Sequence, residues 1–195
     1  MFMMGRGFEQ TTVAQQTHGF MTSCAKSMAL CAESAVQANM VKVFSAQVKK
    51  NKTPNKVKDF KPNPLPCLGN LKLVKDMKLA KDFQQFAHYL PWGFSPRTLD
   101  QGKHVAIMDF RKMFEMGKVT AGLMYVDVYS AYPEHNHPPD EIYFLISGTA
   151  KWRWGGHRHF RSITAGNLIY NYPYNWHGVK AGPTPVLALY LQARR

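Results

Sequence analysis

The stretch Tyr132-Pro-Glu-His135-Asn-His137-Pro-Pro-Asp-Glu141-Ile-Tyr143 decides how the chain is read. Along an extended strand, successive side chains alternate faces with a period of two. His135, His137, Glu141 and Tyr143 are all odd-numbered, so an extended segment points all four the same way. Pro138-Pro139 excludes a helix here and suits an edge or a bend. Two neutral imidazoles and a carboxylate on one face make a good donor set for a divalent metal. An isolated His-x-His pair says little. His-x-His-x-x-x-Glu running into an apolar stretch that ends at Gly148 is far more specific. The best candidate for a third imidazole is His177.

Composition narrows the class. A chain of 195 residues suits one domain plus an extension. Hydrophobic residues make up 45%, which is enough for a real core and excludes a disordered chain. Cys24, Cys31 and Cys67 have no metal-site spacing and are odd in number, so free thiols in a reducing compartment are expected. No stretch approaches the ~20 apolar residues of a membrane helix. The first residues lack a signal peptide's apolar middle, so a cytoplasmic protein is expected. Net charge is +13, with eleven lysines between Lys42 and Lys81. Such a run can mark a nucleic-acid or membrane surface. Without a helix-turn-helix, zinc-finger or RNA-binding signature beside it, it reads as a solvated helix face and linker, and no nucleic-acid partner is expected.

In chain order, residues 1–16 carry no clear pattern. From Thr22 or Ser23 as a cap, Met28, Cys31, Ala35, Ala38, Val41 and Phe44 recur near the helical period and predict one helix to about Lys50. Residues 51–69 hold Pro54, Pro62, Pro64 and Pro66 among lysines and read as a linker. Leu71 to Tyr89 returns to helical spacing, and Pro91-Trp92-Gly93 ends it. Beyond Gly102 the character changes to short β-rich runs: 104–110, 119–129, 141–146, 149–154, 168–172 and 186–191. Ser147-Gly148 and Gly155-Gly156 read as tight hairpin turns, and Ala165-Gly166-Asn167 as another turn. The expected architecture is mainly β, an antiparallel sandwich or barrel over 101–195, with a helical extension over 1–100 covering one face.

These residues resemble a known family. His135-x-His137, Glu141 and Gly148 are similar to the first cupin motif, and Gly166 through Pro173 to His177 to the second. Tyr129 stands where the first motif leads with Gly, and Asn175 and Ala181 replace the usual Gly and Asn of the second. Within the cupins, the two tyrosines around the ligands, Ser147-Gly-Thr-Ala-Lys-Trp152 and the closing Pro185-to-Tyr190 run resemble the bacterial dimethylsulfoniopropionate (DMSP) lyases. The resemblance implies a single cupin barrel, one divalent transition metal ion (Zn, Fe, Mn, Co or Ni) on His135, His137, Glu141 and His177, and a small zwitterionic sulfonium carboxylate as substrate. It implies cleavage to acrylate and dimethyl sulfide by β-elimination. Tyr143 is the expected general base and Tyr132 the second candidate or a substrate-orienting hydroxyl. Tyr132, Tyr125, Trp152 and Tyr190 are the expected substrate-binding residues, and the sulfonium can be met by cation–π attraction from aromatic faces among Tyr125, Trp152, Trp154, Tyr170, Tyr172, Trp176 and Tyr190. Two rivals use the same barrel. One is a metal-dependent dioxygenase or isomerase of a small acid or sugar. The other is a non-catalytic ligand-binding cupin, which needs neither tyrosine. A homodimer is expected from exposed sheet edges.

Overall fold

A computed structural model describes residues 6–51, 58, 60–63, 78–95 and 105–193. Two long helices open the chain: α1, Arg6–Cys31, and α2, Ala35–Lys50. The single helix expected from Thr22 to Lys50 is therefore two, and the first begins well inside the stretch that showed no pattern. The break has a local cause. The Ser34 side chain accepts from Gln37 N, and the Gln37 side chain accepts from Ser34 N, a reciprocal cap that starts a new helix. Thr22, expected as a cap, instead donates to His18 O one turn back inside α1. A short α3, Lys78–Gln84, and a 3-10 turn, Ala87–Tyr89, follow. Most of the expected 51–69 linker, Cys67 included, and the first part of the 71–89 helix lie outside the described residues.

Among the described residues ten strands follow: β1 Gly93–Phe94, β2 Val105–Asp109, β3 Val119–Val126, β4 Ala131–His135, β5 Asp140–Ser147, β6 Thr149–Arg153, β7 Arg161–Thr164, β8 Leu168–Asn171, β9 His177–Ala181 and β10 Val186–Ala193. They form a six-stranded sheet, β1-β2-β3-β10-β5-β8, and a four-stranded sheet, β4-β9-β6-β7, antiparallel throughout. The sheets share one inner cluster that includes Met124, Tyr143, Leu145, Trp152, Val179 and Ala188. The opposite face of the large sheet carries Leu123, Tyr125, Ile142, Phe144, Leu189 and Leu191 in a cluster with Phe20, Met21, Phe44 and Phe83 of the helices. The large sheet is thus buried on both faces, which explains why β5 and β10 read as nearly unbroken apolar runs. This is the mainly β cupin barrel with helices on its outside. The sheet starts with β1, before residue 101, so the barrel draws on residues of the expected extension.

Ser147-Gly148 is not a hairpin. β5 lies in the six-stranded sheet and β6 in the four-stranded one, so this turn is a corner between layers. Gly148 has φ 89 there, and an added Cβ would collide with the Pro185 carbonyl. Gly155-Gly156 does sit within a connection between paired strands, β6 and β7. Tyr129, at the position where the resembling motif has Gly, has φ 52. It keeps the left-handed backbone of a glycine, at a cost of about 1 kcal/mol or more.

Gly122 on β3 faces the interior beside Tyr190, its cross-strand partner. An added Cβ would collide with Met108 O and lie 2.6 Å from the Tyr190 hydroxyl. Gly122→Ala is therefore expected to cost about 1–3 kcal/mol, read as a lowered urea midpoint. An unchanged midpoint would contradict this packing. Among the described residues, no helix is long and apolar enough to cross a membrane.

Candidate active site

The four candidate ligands do not lie on one strand. His135 ends β4 in the small sheet, directly paired with His177 on β9. Glu141 and Tyr143 lie on β5 in the large sheet. His137 and Pro138-Pro139 occupy the connection that carries the chain from one layer to the other. The odd-numbered residues do converge, but across the sandwich interior and not along one extended face.

The imidazole rings of His135 and His177 lie 4.2 Å apart, those of His137 and His177 4.9 Å apart. Ligand atoms of the three histidines lie within 4.8 Å of one another. Each Nδ1 is tethered to a backbone carbonyl: His135 to Pro133 O at 2.9 Å, His137 to Pro139 O at 3.2 Å, His177 to Asn175 O at 2.8 Å. A carbonyl only accepts, so each Nδ1 carries a proton and each Nε2 is left as the ligating nitrogen. Glu141 is 1% exposed, and its Oε2 lies 3.0 Å from Nε2 of both His137 and His177. His177 Nε2 is buried and makes no hydrogen bond of good geometry. Three tethered imidazoles, one with an orphaned buried nitrogen, around an ionised carboxylate fit a divalent transition metal ion.

The electrostatics agree. Burial works to raise the pKa of Glu141, but the close approach of His137 and His177 outweighs it and holds the group at about 2. For His137 burial works downward, and its hydrogen bond and charge attraction to Glu141 overcome it, raising the imidazole above 6.5. The signs follow for protein stripped of metal. Glu141 contributes stability that is full above pH 4.5 and is lost as pH falls toward about 2. His137 contributes stability that is full below pH 6.5 and is lost as pH rises through its raised folded value. Urea midpoints of chelated protein are expected to peak between these limits. A profile flat from about pH 3 to 8 would contradict the pairing.

The site opens into a cavity of about 380 Å³. Tyr132, Tyr143 and Tyr190 line it together with His135, His137 and Glu141. The Tyr132 ring lies 4.7 Å from that of His135. Burial, then the charge of Glu141, pushes the Tyr143 phenol well above 10. Two residues expected at the substrate are elsewhere. Tyr125 points to the outer face of β3, because Gly122 and Met124 take the inner one. It packs in the helix-covered cluster, with its hydroxyl donating to Asp127 Oδ1 at 3.1 Å. Trp152 is buried behind Tyr143, ring to ring at 5.0 Å, and does not line the cavity. His157 is half-buried and His159 exposed, as expected for residues outside the site.

Sequence reading missed Gln192, Thr120, Asp109 and Arg111, which also line the cavity. Gln192 Nε2 donates to Glu141 Oε1 at 2.9 Å. The signal was available: Gln192 lies two residues beyond Tyr190, hence on the same strand face, as an unexpected polar group pointing inward. Arg111 and Asp109 form a bidentate pair at the rim, with two of the bonds at 2.9 and 3.0 Å.

Residues 69–188 match the family model for dimethylsulfoniopropionate lyase, and that span holds all four candidate ligands. The chain belongs to the dimethylsulfoniopropionate lyase family. The DMSP lyase DddQ of Ruegeria pomeroyi is 30% identical over 78 residues. That match spans 40% of this chain and 38% of the relative, well under half the length of the curated protein. Crystal structures of DMSP lyases share the fold. One, from a study of RdDddP and RnDddQII, is 14% identical with a TM-score of 0.62, covering 79% of this chain and 90% of that one. DddQ from Ruegeria pomeroyi DSS-3 is 18% identical with a TM-score of 0.57, covering 80% and 89%. Within this DMSP lyase family chain, Tyr190 and Gln192 lie beyond the matched span yet face the same cavity as the matched residues.

Proposed function

We propose that this protein is a metal-dependent carbon–sulfur lyase that splits DMSP into acrylate and dimethyl sulfide. The observation that carries the reading is the meeting of three tethered imidazoles and Glu141 beside a cavity lined by Tyr132, Tyr143 and Tyr190, in a chain from this family. His135, His137, Glu141 and His177 would hold the ion, one of Zn, Fe, Mn, Co or Ni. When bound, a divalent cation there supplies electrophilic stabilisation of the charge that builds on the substrate carboxylate.

The chain's own residues do the rest. Tyr143 is the general base. Its phenolate oxygen takes the proton from the carbon next to the carboxylate. That electron pair becomes the new carbon–carbon double bond, and the carbon–sulfur pair leaves on a neutral sulfide. A phenol ionises near pH ~10 in water, and burial and Glu141 work against ionisation here. A cation held by Glu141 reverses the second of these influences. Tyr132, at the mouth of the ligand cluster, orients the substrate. Tyr132 and Tyr190 line the cavity, and cation–π attraction of ~0.5–2 kcal/mol to their rings holds the sulfonium without gripping the departing sulfide.

The division near residue 100 is then one of role: the helices clothe the outer sheet face, and the barrel carries the chemistry. The free thiols of Cys24 and Cys31 support a cytoplasmic location. The exposed rings of Tyr129, Tyr174 and Trp176 supply apolar surface for a homodimer, which sedimentation checks. The deciding experiment is headspace gas chromatography of protein with DMSP while oxygen is monitored. Dimethyl sulfide without oxygen uptake supports the lyase. Oxygen uptake without sulfide would replace it with an oxygenase.

A further inference from the structure

The register of the six-stranded sheet lays a polar row across its inner face. Thr120 stands opposite Gln192, Gln192 opposite Glu141, and Glu141 opposite Asn171. Side chains directly opposite in an antiparallel pair share a face and lie within reach of each other. The Glu141 carboxylate is therefore flanked by carboxamides on both neighbouring strands. The two oxygens of Glu141 are used differently. Oε1 accepts from Gln192 Nε2 at 2.9 Å, and Oε2 faces His137 and His177 at 3.0 Å each. The same Gln192 nitrogen lies 3.5 Å from His137 Nε2.

The terminal torsion of a glutamate is broad and roughly two-fold, so an untethered carboxylate rotates freely and offers either oxygen. Holding it in one orientation normally costs rotational freedom when a ligand binds. A donor already seated on one oxygen removes that cost in advance. Gln192 does so without adding charge, so the donor set keeps a single anionic group.

We propose that Gln192 is a positioning residue that occupies Oε1 of Glu141, presents Oε2 alone on the side of His137 and His177, and thereby sets the affinity for the divalent metal. The inference rests on the reading that these imidazoles and Glu141 hold a cation, and not on the identity of the substrate.

The test is Co(II) titration of the full metal-stripped chain, followed by visible absorption and by competition with a chelating dye. Gln192→Leu, close in size and unable to donate, is expected to weaken Co(II) binding by about 10–100-fold, with an altered absorption spectrum. Gln192→Asn, whose shorter arm withdraws the donor, is expected to weaken it as well, and serves if the leucine variant does not fold. In a Glu141→Ala background, Gln192→Leu should cause no further loss, because there is no carboxylate left to orient. Wild-type affinity in both Gln192 variants would overturn the proposal. An undiminished additional loss in the Glu141→Ala background would also overturn it, since Gln192 would then act through the sheet. A wild-type chain that takes up no Co(II), or a His177→Ala chain that binds as wild type does, would remove the metal centre and this inference with it. Wild-type uptake that His177→Ala abolishes but the Gln192 variants do not disturb would sink the inference alone.

Discussion

His177→Ala is expected to lower dimethyl sulfide release by about 10³-fold, and chelation of the wild-type chain to do the same. The imidazole of His177 is 2% exposed and pairs with His135 across β4 and β9. Its Nδ1 is committed to Asn175 O and its Nε2 points at Glu141. Alanine leaves two imidazoles and a carboxylate, and a buried carboxylate with one fewer partner. The elimination places a second negative charge next to an existing carboxylate. Without an electrophile beside it, that charge builds up in an interior where Glu141 is itself anionic. Metal content by mass spectrometry and fold by circular dichroism accompany the rate measurement. A folded variant, or a chelated wild-type chain, that holds no metal yet turns over at the normal rate would end the metal-dependent reading.

Tyr143→Phe is expected to lower kcat by about 10²–10⁴-fold while metal content stays at the wild-type level. The phenol lies on β5 two residues beyond Glu141, lines the cavity and packs against Trp152. Phenylalanine keeps that packing and removes the hydroxyl's hydrogen bond to Glu141, so stability should fall by only about 1 kcal/mol. Tyr132→Phe in the same assay separates the two phenols. If Tyr132 orients the substrate, its loss raises KM more than it lowers kcat. Full activity in Tyr143→Phe would transfer the base to Tyr132 or out of the tyrosines altogether.

The site was more legible than the path to it. Spacing alone picked out His135, His137, Glu141 and Tyr143, yet through a single extended strand that does not exist. Alternation gave a usable answer because both segments point into the same interior. The strand that carries His177 does not stand out in the sequence, and the one that carries His135 reads as continuous with β5. β4 contains Pro133 and Glu134, and β9 alternates small and polar residues, so neither shows the apolar run of a doubly buried strand. β5 and β10 were plain because helices cover their second face. The part of helix α1 before Thr22 is hidden for a related reason. Buried positions of α1 include Val13, Ala14, Thr17, Phe20, Met21 and Cys24, a helical spacing hidden by a core threonine that bonds back to Val13 O. The break before α2 was written in Ser34-x-x-Gln37, a capping pair mistaken for helix interior. Tyr125 and Trp152 show the limit of composition: aromatic residues in a barrel are abundant, and facing direction depends on a register that only pairing reveals.

The candidate ligands come from two layers: His135 and His177 from one, Glu141 from the other, with His137 on the connection between them. An ion seated among them is thus a rivet through the sandwich as well as a chemical centre. Metal supply would then govern how tightly the two layers are clamped, and a cell short of metal would hold a looser, more easily degraded protein before it held an idle one.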